Sequence, residues 1–429
     1  MSIVTNSELD LFARPPIQTS VEHGSIKDYY PVSGMIQSGP LEFTINSSAE
    51  DYLDLSSAFL YITAHISDED VEGKEEGDRA APVNNWIHSL FSQVDVSVNG
   101  KLISSSSNTY GYRSYLETLL SFGKSCKETF LTNGMWYKDT AGELDSSVSG
   151  TGAIRNKGAQ KRMEFTAAGR KIDLIGYIHD DLFRQHRLLP PGVTVKVRFL
   201  RARDSFSLIS AKSGYKALLS TAIMYVRKVK INPSVTLAHA NVLKKNNMMF
   251  PINRVECKVF SVSANSHSAY REGVISGQLP SRIVIGCVRN DAFNGIHDLN
   301  PFNFQHFDLN HLRVHVDGQP DVIPSLQPDF ENNLYVRSFH SLFGGIGKVM
   351  TDEDFDLNRS EYPKGFALYA FNLSTDSEDA YDILKSGSIR IDMKFAKALP
   401  QTINVIVYAE FQNIIQIDST RNVVLDWAN

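Results

Sequence analysis

Val94-Asp95-Val96-Ser97-Val98-Asn99-Gly100 occurs a second time in this chain as Leu312-Arg313-Val314-His315-Val316-Asp317-Gly318. Each copy alternates apolar and polar residues, then stops at Asn-Gly or Asp-Gly. Alternation places the apolar set on one face of a strand, and Asn-Gly or Asp-Gly accepts the positive φ of a tight turn. The copies stand 218 residues apart (Gly100 to Gly318), about half of the 429-residue chain. An echo at that period bears on the whole architecture.

Three more pieces recur in the same order. Arg113-Ser114-Tyr115 followed by Gly123-Lys124 returns 224 residues later as Arg337-Ser338-Phe339 followed by Gly347-Lys348. Val193–Phe199 returns as Ile389–Phe395, and Ile223-Met224-Tyr225-Val226 returns as Ile406-Val407-Tyr408-Ala409. Chance likeness between β-rich segments explains one echo, not four in sequence. The pattern implies a duplicated domain whose first copy carries the longer insertions.

The length suits two domains of roughly 200 residues, an ordinary size for a β-sandwich. Hydrophobic residues make up 42% and charged residues 21%, and the net charge is −5, so no global basic field points to nucleic acid. The three cysteines, Cys126, Cys257 and Cys287, are few and far apart, which fits a reducing compartment and neither a zinc site nor a disulfide framework. No basic stretch followed by an apolar core opens the chain, and no apolar run is long enough to span a bilayer, so a soluble protein made inside the cell is expected.

Residues 1 to about 38 read as a polar, proline-bearing arm, with Pro15-Pro16 and Tyr29-Tyr30-Pro31 favouring extended backbone. Such an arm is expected to order only against a neighbour. Strands are expected at Leu41–Ile45, at Leu53–Ile66 with a break at Ser56-Ser57, at the Val94 segment, and at Arg162–Ala167, Ile172–His179, Val193–Arg201, Ser205–Ser210 and Ala222–Ile231. Together these are about eight, the number in a jelly roll. Tyr110–Phe122 has helical spacing, with Tyr112, Tyr115, Leu116, Leu119 and Leu120 on one side and Gly123 as its stop. The Gly/Ser-rich stretch Ala141–Ala159 reads as an exposed excursion. Pro233–Asn247 reads as a connector with a short helix on Leu237, Ala240 and Leu243. The second half offers strands at Val255–Val262, Ile283–Arg289, Leu312–Asp317, Ala367–Leu373, Ile389–Phe395 and Ile403–Ile417, and a helix near Val336–Phe343. The expected division is an arm at 1–38, a first unit at 39–232, a connector at 233–250 and a second unit at 251–429.

No catalytic apparatus stands out. Gly123-Lys124-Ser125 lacks the glycine a phosphate loop needs at Thr118, and Gly344–Lys348 lacks it at Leu342, so both read as glycines ending helices. His179-Asp180-Asp181 and His297-Asp298 are possible metal ligands, but neighbours on a strand point to opposite faces, and polar loop clusters are the plainer reading. Cys257 and Cys287 lie in apolar strands and read as buried thiols; Cys126 has no partner base. Arg201, Arg203, Arg227, Lys228, Lys230, Lys244 and Lys245 form a basic band that reads as solvated or paired strand ends. Asp308 and Asp317 are the carboxylates a glycan-cleaving site would have to use.

Gly39-Pro40-Leu41-Glu42-Phe43, His88–Val96 and Tyr137–Gly142 in the first half, with Asn290–Gly295, Asn300–Phe304 and Asn404–Phe411 in the second, carry a resemblance. From about Ile17 onward the chain resembles the double jelly-roll major capsid proteins, most closely those of Polinton/Maverick (adintovirus-like) elements. The resemblance implies an all-β fold of two tandem eight-stranded jelly-roll sandwiches with short helices in the loops. It implies a homotrimer, a pseudo-hexagonal capsomer of an icosahedral shell around double-stranded DNA, which the chain would contact only indirectly. Neighbouring capsomers, penton proteins and minor capsid proteins are the implied partners, and the virion capsid, built from protein made in the host cell, is the implied location. No cofactor, metal or catalytic residue follows from it. A minor capsid or vertex protein is a related alternative, though a single jelly roll would suit that role better. A tandem β-sandwich carbohydrate-binding module is the alternative from another class.

Overall fold

The computed structural model describes residues 17–32, 34, 39–48, 50–73, 78–104, 107–146, 155–317, 324–351, 355–374 and 384–427. In the first half the strands are β1 (Val21–Tyr29), β2 (Leu41–Asn46), β3 (Asp51–Ser67), β4 (Ala80–Pro82), β5 (Phe91–Val98), β6 (Lys101–Leu102), β7 (Ile172–Tyr177), β8 (Thr194–Arg201), β9 (Leu208–Ser210) and β10 (Lys216–Ile231). Helices α1 (Trp86–Ser89), α2 (Tyr110–Ser121), α3 (Lys124–Glu128), α4 (Lys157–Thr166) and α5 (Asp204–Ser207) lie between them. Helix α6 (Pro233–Leu243) leads to the second half, which holds β11 (Met248–Val262), β12 (Ser268–Gln278), β13 (Arg282–Arg289), α7 (Asn290–Asn294), β14 (Phe304–Gln305), β15 (Leu309–Val316), α8 (Val336–Gly345), β16 (Lys364–Gly365), β17 (Leu368–Asn372), β18 (Ser386–Phe395), β19 (Ile403–Ile417) and β20 (Val423–Leu425).

Strand order makes each half a jelly roll. One sheet of the first half runs β1-β10-β3-β7 and the other β2-β8-β5-β6. Leaving aside the short β4–β9 pair, these are the first, eighth, third and sixth strands against the second, seventh, fourth and fifth. The second half repeats the order as β11-β19-β13-β17 and β12-β18-β15, where a Leu312–Leu326 bridge stands for the fifth strand. All four sequence echoes land on matching elements: β5 with β15, α2 with α8, β8 with β18, and β10 with β19. Val94, Val96 and Val98 are buried in the first core, Leu312 and Val314 in the second, with Val316 packed at its edge. The Asn99-Gly100 turn takes φ of 48° and 83°, the paired positive values of a tight hairpin. Gly318 lies outside the described residues.

Several expectations need correction. Val21–Tyr29 belongs to the folded body: β1 pairs along its length with β10, from Val21–Ile231 to Tyr29–Met224, so the expected arm contains the first strand of the roll. Its Val21, Ile26 and Tyr29 are too widely spaced to signal a strand, because its partner's backbone holds it. Arg162–Ala167 is mostly helix, within α4 and its 3-10 extension, and the Asn156 side chain caps α4 by accepting from the Ala159 N–H. Only the end of Ser205–Ser210 is strand. β3 runs unbroken through Ser56-Ser57, where the β10 pairing shifts register instead. Gly123 has extended backbone and begins α3, whereas Gly347 (φ 73°) does end α8, with Lys348 N–H bonding Phe343 O at 3.0 Å. β11 starts at Met248, inside the expected connector.

Candidate assembly surfaces

Between the two rolls lies a third core built from both halves. The apolar side expected of α2 faces it: Tyr112, Tyr115, Leu116, Leu119 and Leu120 are all buried. Tyr115 stacks flat on Phe302 with ring centres 4.3 Å apart, and Tyr112 stacks on Phe293 at 5.5 Å. The segments that carried the family resemblance, Tyr137–Gly142, Asn290–Gly295 and Asn300–Phe304, meet at this seam although 150 residues of sequence separate the first from the other two.

Two buried polar clusters fix the seam's register. In one, Arg162 is fully buried and donates to Pro82 O (2.7 Å), Tyr137 O (2.5 Å) and Asp139 Oδ1 (2.6 Å). Asp139 also accepts from Asn156 and, across the seam, from Asn300 Nδ2 at 3.1 Å. A fully occupied carboxylate and guanidinium in a dry site hold their geometry far better than a surface pair. Lys138, from the first half, adds a 2.8 Å ion pair to Glu361 of the second.

The other cluster contains His179-Asp180-Asp181, a polar group on the loop after β7 as expected, and here buried and tied to its neighbours. Asp181 Oδ1 accepts from Arg113 Nη2 (2.5 Å) and from the Val255 N–H of β11 (3.1 Å), again crossing the seam. Arg113 also bonds Glu117 at 2.9 Å, and Glu117 Oε2 lies 2.6 Å from His179 Nδ1 and 2.7 Å from Arg184. Burial raises Glu117, but Arg184, Arg113 and the His179 bond outweigh it and hold the carboxyl below its usual range. Burial depresses His179 to about 4, while burial and adjacent Asp181 push Asp180 up to about 7. Sequence spacing marked the His-Asp-Asp triplet but gave no sign of Arg113 and Glu117, which reach it from a helix some sixty residues away.

The remaining candidates do not converge. Among the described residues no group of three or more His, Cys, Asp or Glu side chains is placed to hold a metal ion. His297 serves through its backbone, accepting from Ser210 N–H at 2.7 Å, and Asp298 is exposed. Asp308 and Asp317 bracket β15 and so stand about 30 Å apart along the strand, far beyond the roughly 5–10 Å of a glycosidase pair. Cys257 and Cys287 are buried, their thiols pushed up to about 12, and Cys126 is half-buried. Most of the basic band is engaged within the chain: Arg201 with Ala217 O, Arg203 with Asn294 O, Arg227 with Asp54, Lys228 with Asn46 O, Lys230 with Glu50 and Lys244 with Asn241. Lys245 is exposed.

Large apolar side chains are exposed on strands, as at Ile26, Met249 and Tyr270, and at the ends of two helices. Around α8, Leu334, Val336, Val349 and Met350 are 67%, 45%, 42% and 99% exposed. Helix α6 carries no charged side chain; Val235 packs against the core beneath it, His239 Nδ1 lies 3.0 Å from Tyr52 OH, and Leu237 and Val242 are exposed. No helix among the described residues is long and apolar enough to cross a membrane.

No protein-family model matches the chain. The uncharacterized protein F54H12.2 of Caenorhabditis elegans is 25% identical over 409 residues, covering 90% of this chain and 93% of that protein. Among solved structures, a chain of the Sputnik virophage matches with a TM-score of 0.66 at 12% identity, over all of this chain and 94% of its own. The Faustovirus major capsid protein gives 0.58 at 9% identity (96% of this chain, 92% of that one) and the mavirus major capsid protein 0.50 at 12% (98% and 96%). At such identities the likeness is one of fold, and it extends across both rolls.

Proposed function

We propose that this chain is a structural major capsid protein whose trimer forms a pseudo-hexagonal capsomer. The observation that carries the reading is the pair of rolls with one strand order, locked side by side, in a fold shared end to end with viral major capsid proteins. In this reading residues 21–231 and 248–427 are the two rolls and α6 joins them. The role is to build a shell, with no catalytic step. A near-sixfold outline follows if each roll meets the next through equivalent surfaces. Helix α2 of the first roll is covered by the second, so its counterpart α8 would be covered by the first roll of a neighbouring chain. The apolar group at Leu334, Val336, Val349 and Met350 fits that contact. A place in a Polinton/Maverick-type element, penton and minor-protein partners, and assembly in the host cell belong to the same reading. Residues 1–16, ahead of β1, are then left to link capsomers.

Size-exclusion chromatography with light scattering tests it: the mass should be three times the 47.9 kDa of one chain or a larger multiple. Val336→Asp should yield folded monomers. A wild-type protein that is monomeric at tens of micromolar contradicts the proposal.

A further inference from the structure

A cleft of about 440 Å³ opens beside β7, lined by residues of the first roll alone. Its volume falls in the range of small-molecule sites, roughly 300–1,000 Å³. Phe122, Phe130, Leu131 and Tyr177 are among its walls. Phe130 and Tyr177 remain 47% and 42% exposed even though their rings lie 5.7 Å apart, so the apolar walls are bare within the chain.

Two polar groups converge on this apolar space. Asn85, 5% exposed, lines the cleft, and its Nδ2 has no hydrogen-bond partner among the described residues. A buried amide left without an acceptor is destabilising, so its persistence asks for a reason. Asn85 is also held at φ 57° and donates its N–H to Met135 O, where Met135 itself stands at φ 63°. Left-handed backbone at a methionine is uncommon, and such strain concentrates at ligand-holding positions. At the rim, Arg184 has a side chain 38% exposed and contacts Glu117 and His179 through Nη2. The rest of its guanidinium fork is turned to no acceptor among the described residues.

We propose that the cleft binds a small aryl carboxylate, with the ring packed against the exposed faces of Phe130 and Tyr177, the carboxylate on Arg184 and a ring hydroxyl accepting from Asn85 Nδ2. The site is independent of the assembly reading, since it lies within one roll and needs no second chain.

The probe is 3-(4-hydroxyphenyl)propionate, titrated calorimetrically into the full chain beside 3-phenylpropionate, which lacks the hydroxyl. One molecule per chain should bind, the hydroxylated acid more tightly. Arg184→Gln should weaken both acids by about 10-fold or more, the scale of a lost hydrogen bond to a charged group. Asn85→Gly, which keeps the left-handed backbone without strain, should erase the advantage of the hydroxyl while leaving the melting temperature near that of the parent. Leu131→Trp, filling the cleft, should abolish binding of both. Absence of binding at millimolar acid overturns the proposal, as does affinity that survives Leu131→Trp or is indifferent to Arg184→Gln. If the wild type takes up neither acid but Leu131→Trp disrupts its oligomer, the cleft is a subunit contact and the proposal fails.

Discussion

Helices α2 and α8 occupy the same place in the two rolls and have opposite surroundings. Every residue of α2 from Tyr110 to Leu120 is buried, whereas in α8 only Ser338, Leu342 and Gly345 are. The echoed arginines show the contrast atom by atom: Arg113 is buried between Glu117 and Asp181, and Arg337 is exposed. Duplication supplied two equivalent helices; packing one roll against the other enclosed α2 on every side, whereas α8 gives that shared core Leu342 and leaves most of its surface open. A repeated strand must stay apolar on one face wherever it sits, because its own roll needs a core. A helix between strands takes its chemistry from whatever covers it.

The sharpest way to break this comparison is to remove both arginines. Arg113→Met should leave Glu117 and Asp181 with one cation fewer in a dry site and cost about 3–5 kcal/mol. Arg337→Met, at the echoed position, should shift stability by less than about 0.5 kcal/mol in the isolated chain. Urea denaturation of the two variants checks it; equal losses would mean that α8 is as enclosed as α2.

Strands should behave the other way. Val96 and Val314 fill matching positions of β5 and β15 and are 0% and 6% exposed. Truncating either to alanine should cost about 1–3 kcal/mol, and by similar amounts, since each faces the interior of its own roll. A loss at Val96 alone would mean that the second core is loose.

The same distinction explains what could be read from the sequence. Strands β5, β8, β15 and β18 declared themselves because period-two burial writes itself into consecutive residues, and β19 through a continuous apolar run buried on both faces. Helix α2 was legible through Tyr112, Tyr115 and Leu119. Strand β1 was not, because Val21, Ile26 and Tyr29 mark no alternation and its place depends on pairing with β10. α4 was misread since Arg162, a polar residue in an apparently alternating stretch, is buried by Asp139 and two carbonyls that no local pattern announces. The seam was visible only as family-like segments; that Asp139 meets Asn300 is a fact of three-dimensional closure.

The smallest effect tests whether the polar cluster around α2 titrates with folding. His179 is depressed to about 4, so the folded chain binds fewer protons than the unfolded one between pH 6.5 and 4, and stability falls as acid is added. His88, its buried neighbour with ring centres 4.5 Å apart, is also held neutral by burial and adds to that loss. Asp180 is raised to about 7, so the folded chain binds more protons than the unfolded one below pH 7, and stability rises as acid is added. Arg113 and Arg184 face the same space and keep Glu117 ionised across this range, whereas burial raises Asp181 as it raises Asp180. By pH 5 the His179 loss and the Asp180 gain are each on the order of 2 kcal/mol and largely cancel, and Asp181, raised by burial like Asp180, opposes the His88 loss. Wild-type melting temperature should therefore change little between pH 7.5 and pH 5 on account of this cluster. His179→Gln removes one acid penalty, so relative to wild type it should gain stability as the pH falls. Asp180→Asn removes the compensating gain and should lose stability over the same interval. Melting curves at the two pH values separate the cases. Two variants that merely parallel the wild type would show that α2's polar partners are fixed in charge, and the contrast with α8 would then rest on packing alone.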